Sequence, residues 1–285
     1  MARRFRSVLY LPADRARVFE KARGLPADAL IFDLEDAVTP EAKPEARKLL
    51  SEQLGEGGFG DRSLIARVNA LSSGLAAEDL AALSDAPVDA VLFPKIDDAA
   101  DVDAAAAAMR DAGIAKSVQI WAMIETPRAV LNLSAIAARA ADTALTGFVL
   151  GLNDLSKDTG IAQVPGRAAF VPVLTMAVMA ARAHDLVAID GVCNAMDDDA
   201  RLLSECEQGR AHGFDGKSLI HPRQIETANR VFSPSDAEVA TARAIVAAFA
   251  DPANAGKGAL RVDGAMVERL HLAQAERLLA SAQDG

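Results

Sequence analysis

The sequence predicts an α/β fold, a closed (β/α)8 barrel followed by a C-terminal helical extension. Three observations carry this. Short apolar runs rich in Val, Ile, Leu and Phe alternate eight times with longer, Ala-rich helical stretches. No break in composition separates the units, and eight strand–helix repeats point to a closed parallel barrel, with an open doubly wound sheet as the alternative. The first run is not followed by the Gly-x-Gly-x-x-Gly turn that a dinucleotide-binding open sheet requires.

In chain order, SVLYLP (7–12) precedes a helical run over 14–23, and ALIFDLED (29–36) precedes one over about 40–54. LIARVN (64–69) leads into a helix over about 75–83, and AVLFPK (90–95) into one that Gly113 ends. QIWAMIE (119–125) runs into Thr126, placed as a cap, and Pro127, placed at the first position of a helix reaching Ala141. GFVLGLND (147–154) precedes a helical region over 167–184, LVAIDGV (186–192) one over 197–210, and GKSLIHP (216–222) one over 224–231. Beyond the eighth unit, 236–250 reads as a helix, DPANAGKGALRVDGA as a connection, and 266–282 as a final amphipathic helix. The expected division is a barrel over 1–233 and an extension over 234–285, a lid or an arm toward a neighbouring subunit.

Composition narrows the function. The 285 residues are 51% hydrophobic but only 4% aromatic, so the core is built from aliphatic residues. A net charge of −10 argues against nucleic-acid and membrane-surface roles. The charge is uneven, because residues 1–24 hold seven bases against two acids. An anionic ligand near the first βα unit accounts for that patch, except that Arg3, Arg4 and Arg6 read as a solvated arm. Cys193 and Cys206 make neither a disulfide framework nor a zinc site. No apolar stretch approaches the roughly 20 residues that span a bilayer. A reduced, cytoplasmic protein is expected.

In a βα barrel the chemistry gathers at the carboxyl ends of the strands. Those positions hold Tyr10, Glu35 and Asp36, Arg67 and Asn69, Lys95, Glu125, Asn153 and Asp154, Asp190, and His221. Glu125 and Asp154 lie 29 residues apart, one βα repeat, which places them on adjacent strands. Two carboxylates without a His or Cys partner suit Mg²⁺, which one or two carboxylates hold while it keeps waters or substrate oxygens. Arg67 points into the barrel mouth and needs an anion there, a substrate carboxylate or a salt bridge to Glu35 or Asp36. Lys95 is either a Schiff-base lysine or, beside a metal pair, a structural charge, and the second reading is preferred. His221 is either a substrate contact or the satisfied imidazole of an Ile-His-Pro turn.

The strings LPADRARVFEKA, LIFDLEDAV, ARVN, LFPKI, IETPRA, GLNDL and GKSLIHPRQI, in this order, closely resemble the HpcH/HpaI aldolase and citrate lyase superfamily. Within it they are most similar to the citrate lyase beta-subunit-like and malyl-CoA lyase branch. The resemblance implies a TIM barrel, Mg²⁺ on Glu125 and Asp154, and Arg67 on the substrate carboxylate. It also implies that Tyr10, Arg15 and Lys21 help hold a CoA thioester. RVDGAMVERLHL resembles the branch's C-terminal arm, which carries an acid–base carboxylate into a neighbouring subunit of a homo-oligomer, a trimer or hexamer. Glu268 stands where that pattern usually has Asp, and the extra methylene displaces the carboxylate by roughly an ångström, enough to cost about a hundredfold if uncompensated.

The expected set is therefore Arg67, Glu268, Glu35 and Asp36 as catalytic groups. Tyr10, Arg15, Lys21, Arg67, Glu125, Asn153, Asp154 and His221 are expected to bind substrate. The leading expectation is retro-Claisen cleavage of a malyl- or citramalyl-CoA to acetyl-CoA and a 2-oxo acid. The first alternative is hydrolysis of the same thioester to malate and CoA, which a longer carboxylate at 268 suits by addressing water. The second is a non-catalytic role as a citrate lyase beta-type subunit of a larger complex.

Overall fold

The computed structural model describes residues 3–283, and in it the eight apolar runs are parallel strands that close on themselves. They are β1 (Ser7–Pro12), β2 (Ala29–Asp33), β3 (Ser63–Arg67), β4 (Ala90–Phe93), β5 (Gln119–Ile124), β6 (Leu145–Leu150), β7 (Val187–Asp190) and β8 (Gly216–Leu219). Each pairs with the next in sequence, and β8 returns to pair with β1. The covering helices are α1 (Ala16–Ala22), α2 (Lys43–Glu56), α3 (Ala76–Leu83), α4 (Ala99–Asp111), α5 (Pro127–Leu131), α6 (Leu133–Ala138), α7 (Leu152–Thr159), α8 (Val171–Ala183), α9 (Asp199–His212) and α10 (Ile225–Phe232).

Alternation along each strand sends one parity into the barrel and the other under the helices. Val8, Ile31, Ile65, Leu92, Trp121 and Val149 fill the interior, while Leu9, Leu30, Phe32, Val91 and Phe148 join the outer core. Trp121 is the largest inner side chain and is registered opposite Gly147. A Cβ there would lie 2.9 Å from the indole ring, so glycine is what lets the ring fit.

The strands are shorter than the apolar runs suggest. β2 stops at Asp33, β3 at Arg67 and β6 at Leu150. Asn153 and Asp154 consequently sit in the first turn of α7 instead of on a strand, because Leu152 and Leu155 bury one side of a helix after Gly151. Thr126 caps α5 as expected, its hydroxyl accepting the Ala129 N–H at 3.0 Å with Pro127 at the first position. The helix expected to reach Ala141 breaks at Asn132, whose backbone leaves helical geometry while its amide donates to the Asp97 carbonyl at 3.0 Å.

The chain divides into two compact units, the barrel over Phe5–Phe232 and a second unit built chiefly from Ser233–Gly285. The second contains α11 (Asp236–Ala250), a hairpin of β9 (Ala259–Val262) and β10 (Ala265–Glu268), and α12 (Arg269–Gln283), around Ala242, Ile245, Val267 and Ala275. Ser235 and Glu238 cap α11 reciprocally. The stretch read as a mere connection is thus a hairpin. Asp263 and Gly264 turn it with φ of 48° and 84°, a geometry that Asp-Gly favours. The last helix begins three residues later than expected, and Glu268 ends a strand.

One further expectation is corrected. Arg6 is no solvated arm, since its Nε and Nη2 each donate to Asp28 at 2.8 Å in a half-buried bidentate pair.

Candidate active site

Register fixes the first half of the site. Asp33 and Arg67 are Cα partners across β2 and β3 and share the inward parity of Ile31 and Ile65. Arg67 donates from Nε and Nη2 to the two Asp33 oxygens at 2.7 and 2.6 Å, with both residues buried. Asp33 is bonded on its other side as well, accepting the Glu35 N–H at 2.9 Å and the Ala37 N–H at 3.0 Å. The guanidinium also lies over the Tyr10 ring, 5.2 Å from its centroid. Burial works against its charge, but Asp33, helped by Tyr10 and Glu35, raises its pKa overall.

That leaves Nη1 for whatever enters the mouth. It contacts Glu35 Oε2 at 2.8 Å and Asp36 Oδ2 at 3.4 Å, so both acids expected beside Arg67 are there. The main partner is nevertheless Asp33. It lies inside the apolar run ALIFD and reads as strand interior in sequence, and only the inward parity shared with a facing Arg marks it out.

Burial pushes the Glu35 carboxyl up to about 8, with Asp36, Glu125 and Asp33 adding to the rise against the pull of Arg67. Burial thus outweighs the pull of Arg67, which Asp33 already matches, and favours the protonated form of Glu35. From about 4.5 to about 8 the native state keeps a proton that the unfolded chain has released, so Glu35 subtracts stability progressively across that window. The expected result is that Glu35→Gln leaves the thermal midpoint unchanged at pH 4 and raises it by a few degrees at pH 8. A difference that does not grow with pH would mean that native Glu35 is ionised throughout.

The second half is built from Lys95, Glu125 and Asp154. Glu125 follows β5 with the inward parity of Met123 and is 1% exposed. Its Oε1 accepts the Lys95 backbone N–H at 2.9 Å and lies 3.3 Å from Lys95 Nζ, which donates to Asp154 Oδ1 at 2.6 Å. Lys95 has φ of 55°, and this left-handed turn aims its amide at the carboxylate at a cost of about 1–3 kcal/mol. Burial pushes Glu125 up to about 6 against the opposing charge of Lys95. Burial also disfavours the Lys95 ammonium, but its bond to Asp154 and the charge of Glu125 raise its pKa overall.

The two carboxylates thus come together as neighbours, both contacting the Lys95 ammonium, with Asp154 reaching it from the first turn of α7. Gly151 provides the space, since a Cβ there would lie 2.4 Å from Glu125 Cβ and 2.8 Å from Oε2. Two oxygen donors cradled this way fit Mg²⁺, which usually takes only one or two carboxylates from a protein. Among the described residues, no group of three or more His, Cys, Asp and Glu gathers into a closed cage.

Between the halves opens a cavity of about 370 Å³, lined by Tyr10, Asp33, Asp36, Arg67, Met123, the segment 150–154, Val192, Ser218 and Ile220. Its wall is largely apolar and its charged groups stand at opposite sides. Asn153 is tied at the rim, its Oδ1 accepting from Gln163 at 2.8 Å and from Asn194 at 2.6 Å. His221, Glu35 and Glu125 do not line the cavity, and the second half meets it through Asp154. His221 instead caps the turn after β8, its Nδ1 accepting the Arg223 N–H at 3.2 Å, which is the Ile-His-Pro turn.

Asp190 has the opposite parity to Ile189 and leaves the mouth altogether. It is fully buried behind the barrel, bonded to Arg167 at 2.8 Å and Lys217 at 3.0 Å. Burial disfavours its charge, but Lys217 and Arg167 hold its carboxyl below the usual range. Arg15, just before α1, and Lys21 in its last turn are exposed, whereas Arg23 is absorbed by Gly57, Gln53 and Glu56. The basic patch is thus smaller than its composition. Glu268 lies in the second unit, its backbone N–H donating to His271 Nδ1 at 2.9 Å.

The family model described as HpcH/HpaI aldolase/citrate lyase matches residues 6–222. A (3S)-malyl-CoA thioesterase of Cereibacter sphaeroides is 48% identical over 279 residues, covering 98% of this chain and 95% of that protein. The citrate lyase subunit beta of Escherichia coli is 32% identical, covering 98% and 93%. Among solved structures, the CitE protein of Mycobacterium tuberculosis, in complex with magnesium, acetoacetate and coenzyme A, superimposes with a TM-score of 0.78 at 31% identity over 97% of each chain.

Proposed function

The chain belongs to the HpcH/HpaI aldolase/citrate lyase family, and from that membership and the site geometry we propose that it is an Mg²⁺-dependent hydrolase of malyl-CoA-type thioesters. The observation that carries the choice of reaction is the 48% identity with a (3S)-malyl-CoA thioesterase across 98% of the chain, against 32% with a citrate lyase subunit beta. That difference supports hydrolysis over the carbon–carbon cleavage that leads on sequence alone.

In this reading Glu125 and Asp154 hold the ion, with Lys95 setting the pair's spacing. When bound, Mg²⁺ supplies Lewis-acid stabilisation of charge on substrate oxygen. Arg67 binds the substrate carboxylate through Nη1, its Nε edge being already committed to Asp33. Tyr10 and the apolar wall exclude water from the acyl chain. Arg15 and Lys21 face the CoA phosphates, and Asn153 orients the acyl end. Glu268, carried in by a neighbouring subunit of a homo-oligomer, takes a proton from water as general base. The water oxygen attacks the thioester carbonyl, the C–S bond breaks, and CoA leaves as a thiolate that recovers the proton.

The second reading, C–C cleavage, rests on the citrate lyase relatives and uses the same groups. One tube separates them. With malyl-CoA and Mg²⁺, hydrolysis yields free thiol and malate without glyoxylate, and EDTA stops it. Glyoxylate without thiol would reverse the choice, and turnover indifferent to EDTA would remove the metal from the account.

A further inference from the structure

Behind the Arg67 half of the site lies a buried polar network that the proposed reaction does not use. Lys43, the first residue of α2, is 7% exposed, and its Nζ donates to the Leu34 carbonyl at 2.8 Å, the Glu35 carbonyl at 2.9 Å and Asn69 Oδ1 at 2.7 Å. Asn69 donates from Nδ2 to the Leu34 carbonyl at 3.1 Å and to Asp79 Oδ2 at 2.6 Å. Asp79 is fully buried and takes Arg47 Nε on its other oxygen at 2.6 Å. Every polar atom of the Lys43 head is thus spent on acceptors, and none of the four side chains lines the cavity.

One peptide unit connects this network to the site. The Leu34 carbonyl is gripped by Lys43 and Asn69, while the N–H of the same unit, on Glu35, donates to Asp33 Oδ1 at 2.9 Å. A trans peptide is planar, with its carbonyl and N–H pointing opposite ways, so fixing one end fixes the direction of the other. Asp33 in turn holds the Nε–Nη2 edge of Arg67. The adjoining Glu35 carbonyl, also on Lys43, ties down the residue whose carboxyl touches Nη1.

We infer that Lys43 is a positioning residue. Through the Leu34–Glu35 peptide it sets the orientation of Asp33, and so the direction in which Arg67 presents Nη1 to an incoming carboxylate. This goes beyond the proposed reaction in assigning the anion subsite's geometry to a lysine that touches no substrate, and it rests on that reading only in the choice of probe.

The test compares binding of malate and of free CoA to the Mg²⁺-loaded protein, wild type against Lys43→Met, by isothermal titration well below each protein's unfolding midpoint. Lys43→Met keeps the apolar stem and removes the donors. The expected result is a loss of malate affinity of at least tenfold with CoA affinity unchanged within twofold. A general loosening of the barrel would weaken both ligands together, so equal losses overturn the inference, as does unchanged malate affinity. If Lys43→Met does not fold, Asn69→Ala decides, because it frees one grip on Leu34 and leaves Lys43 on its two carbonyls. Its expected loss is smaller and equally confined to malate, and a loss shared with CoA or absent for malate overturns the inference. Failure of the wild-type protein itself to bind malate would count against the substrate reading, and succinate as a generic dicarboxylate then serves as the probe of Arg67 with the same criteria.

Discussion

Asp33→Ala is expected to destabilise the barrel by about 3–5 kcal/mol and to abolish turnover, because it strands a buried guanidinium without its counter-charge. Asp33 and Arg67 are 2% and 6% exposed, so solvent cannot replace what is lost. Two backbone donors, the N–H groups of Glu35 and Ala37, lose their acceptor in the same step. Denaturant unfolding measures the first effect and steady-state hydrolysis the second. Asp33→Asn keeps the shape but not the charge, and is expected to fall between the two proteins in stability while still losing most activity. If Asp33→Ala unfolds at the wild-type denaturant concentration, Glu35 and Asp36 neutralise Arg67 by themselves, and Asp33 is not its main partner.

Gly151→Ala carries the second large effect, and it adds only one methyl group. That methyl would stand 2.4 Å from Glu125 Cβ, so either Glu125 or the end of β6 must move. Neither displacement leaves the two carboxylates converging, and misplacement by ~1 Å costs about a hundredfold in rate. The expected outcome is a drop of that size in kcat, with Mg²⁺ affinity reduced at least tenfold by titration calorimetry. Circular dichroism should show an intact barrel, because Gly151 lies past the last residue of β6 and alanine keeps the N–H that it donates to the Ile124 carbonyl at 2.9 Å. Wild-type Mg²⁺ affinity in this variant would show that Glu125 does not hold the ion.

Much of this architecture is legible in the sequence. Eight alternations of apolar and helical segments dictate the barrel, since a parallel strand buried on both faces needs a continuous apolar run. The 29-residue spacing of Glu125 and Asp154 puts them one repeat apart, and they do meet, across Lys95. Thr126-Pro127 marks a helix start because capping is a local matter of backbone donors.

What the sequence leaves open depends on where each strand stops and which way its last side chain points. Glu35, Asp36 and Asp190 all read as strand-end acids, yet Asp190 is turned outward into an ion cluster with Arg167 and Lys217. Asp33, hidden in an apolar run, is turned inward onto Arg67. Parity alternates residue by residue, so a boundary uncertain by one or two positions cannot say which acid faces the mouth. The hairpin that ends at Glu268 is similarly short, its strands four residues each and mostly exposed, leaving only Asp-Gly as a local sign. The sequence by itself determined the barrel, the convergent carboxylates and the family. Tertiary structure alone decided the pairing of Asp33 with Arg67 and the bracing by Lys43, because both are made by groups that register and packing bring together from separate units of the chain.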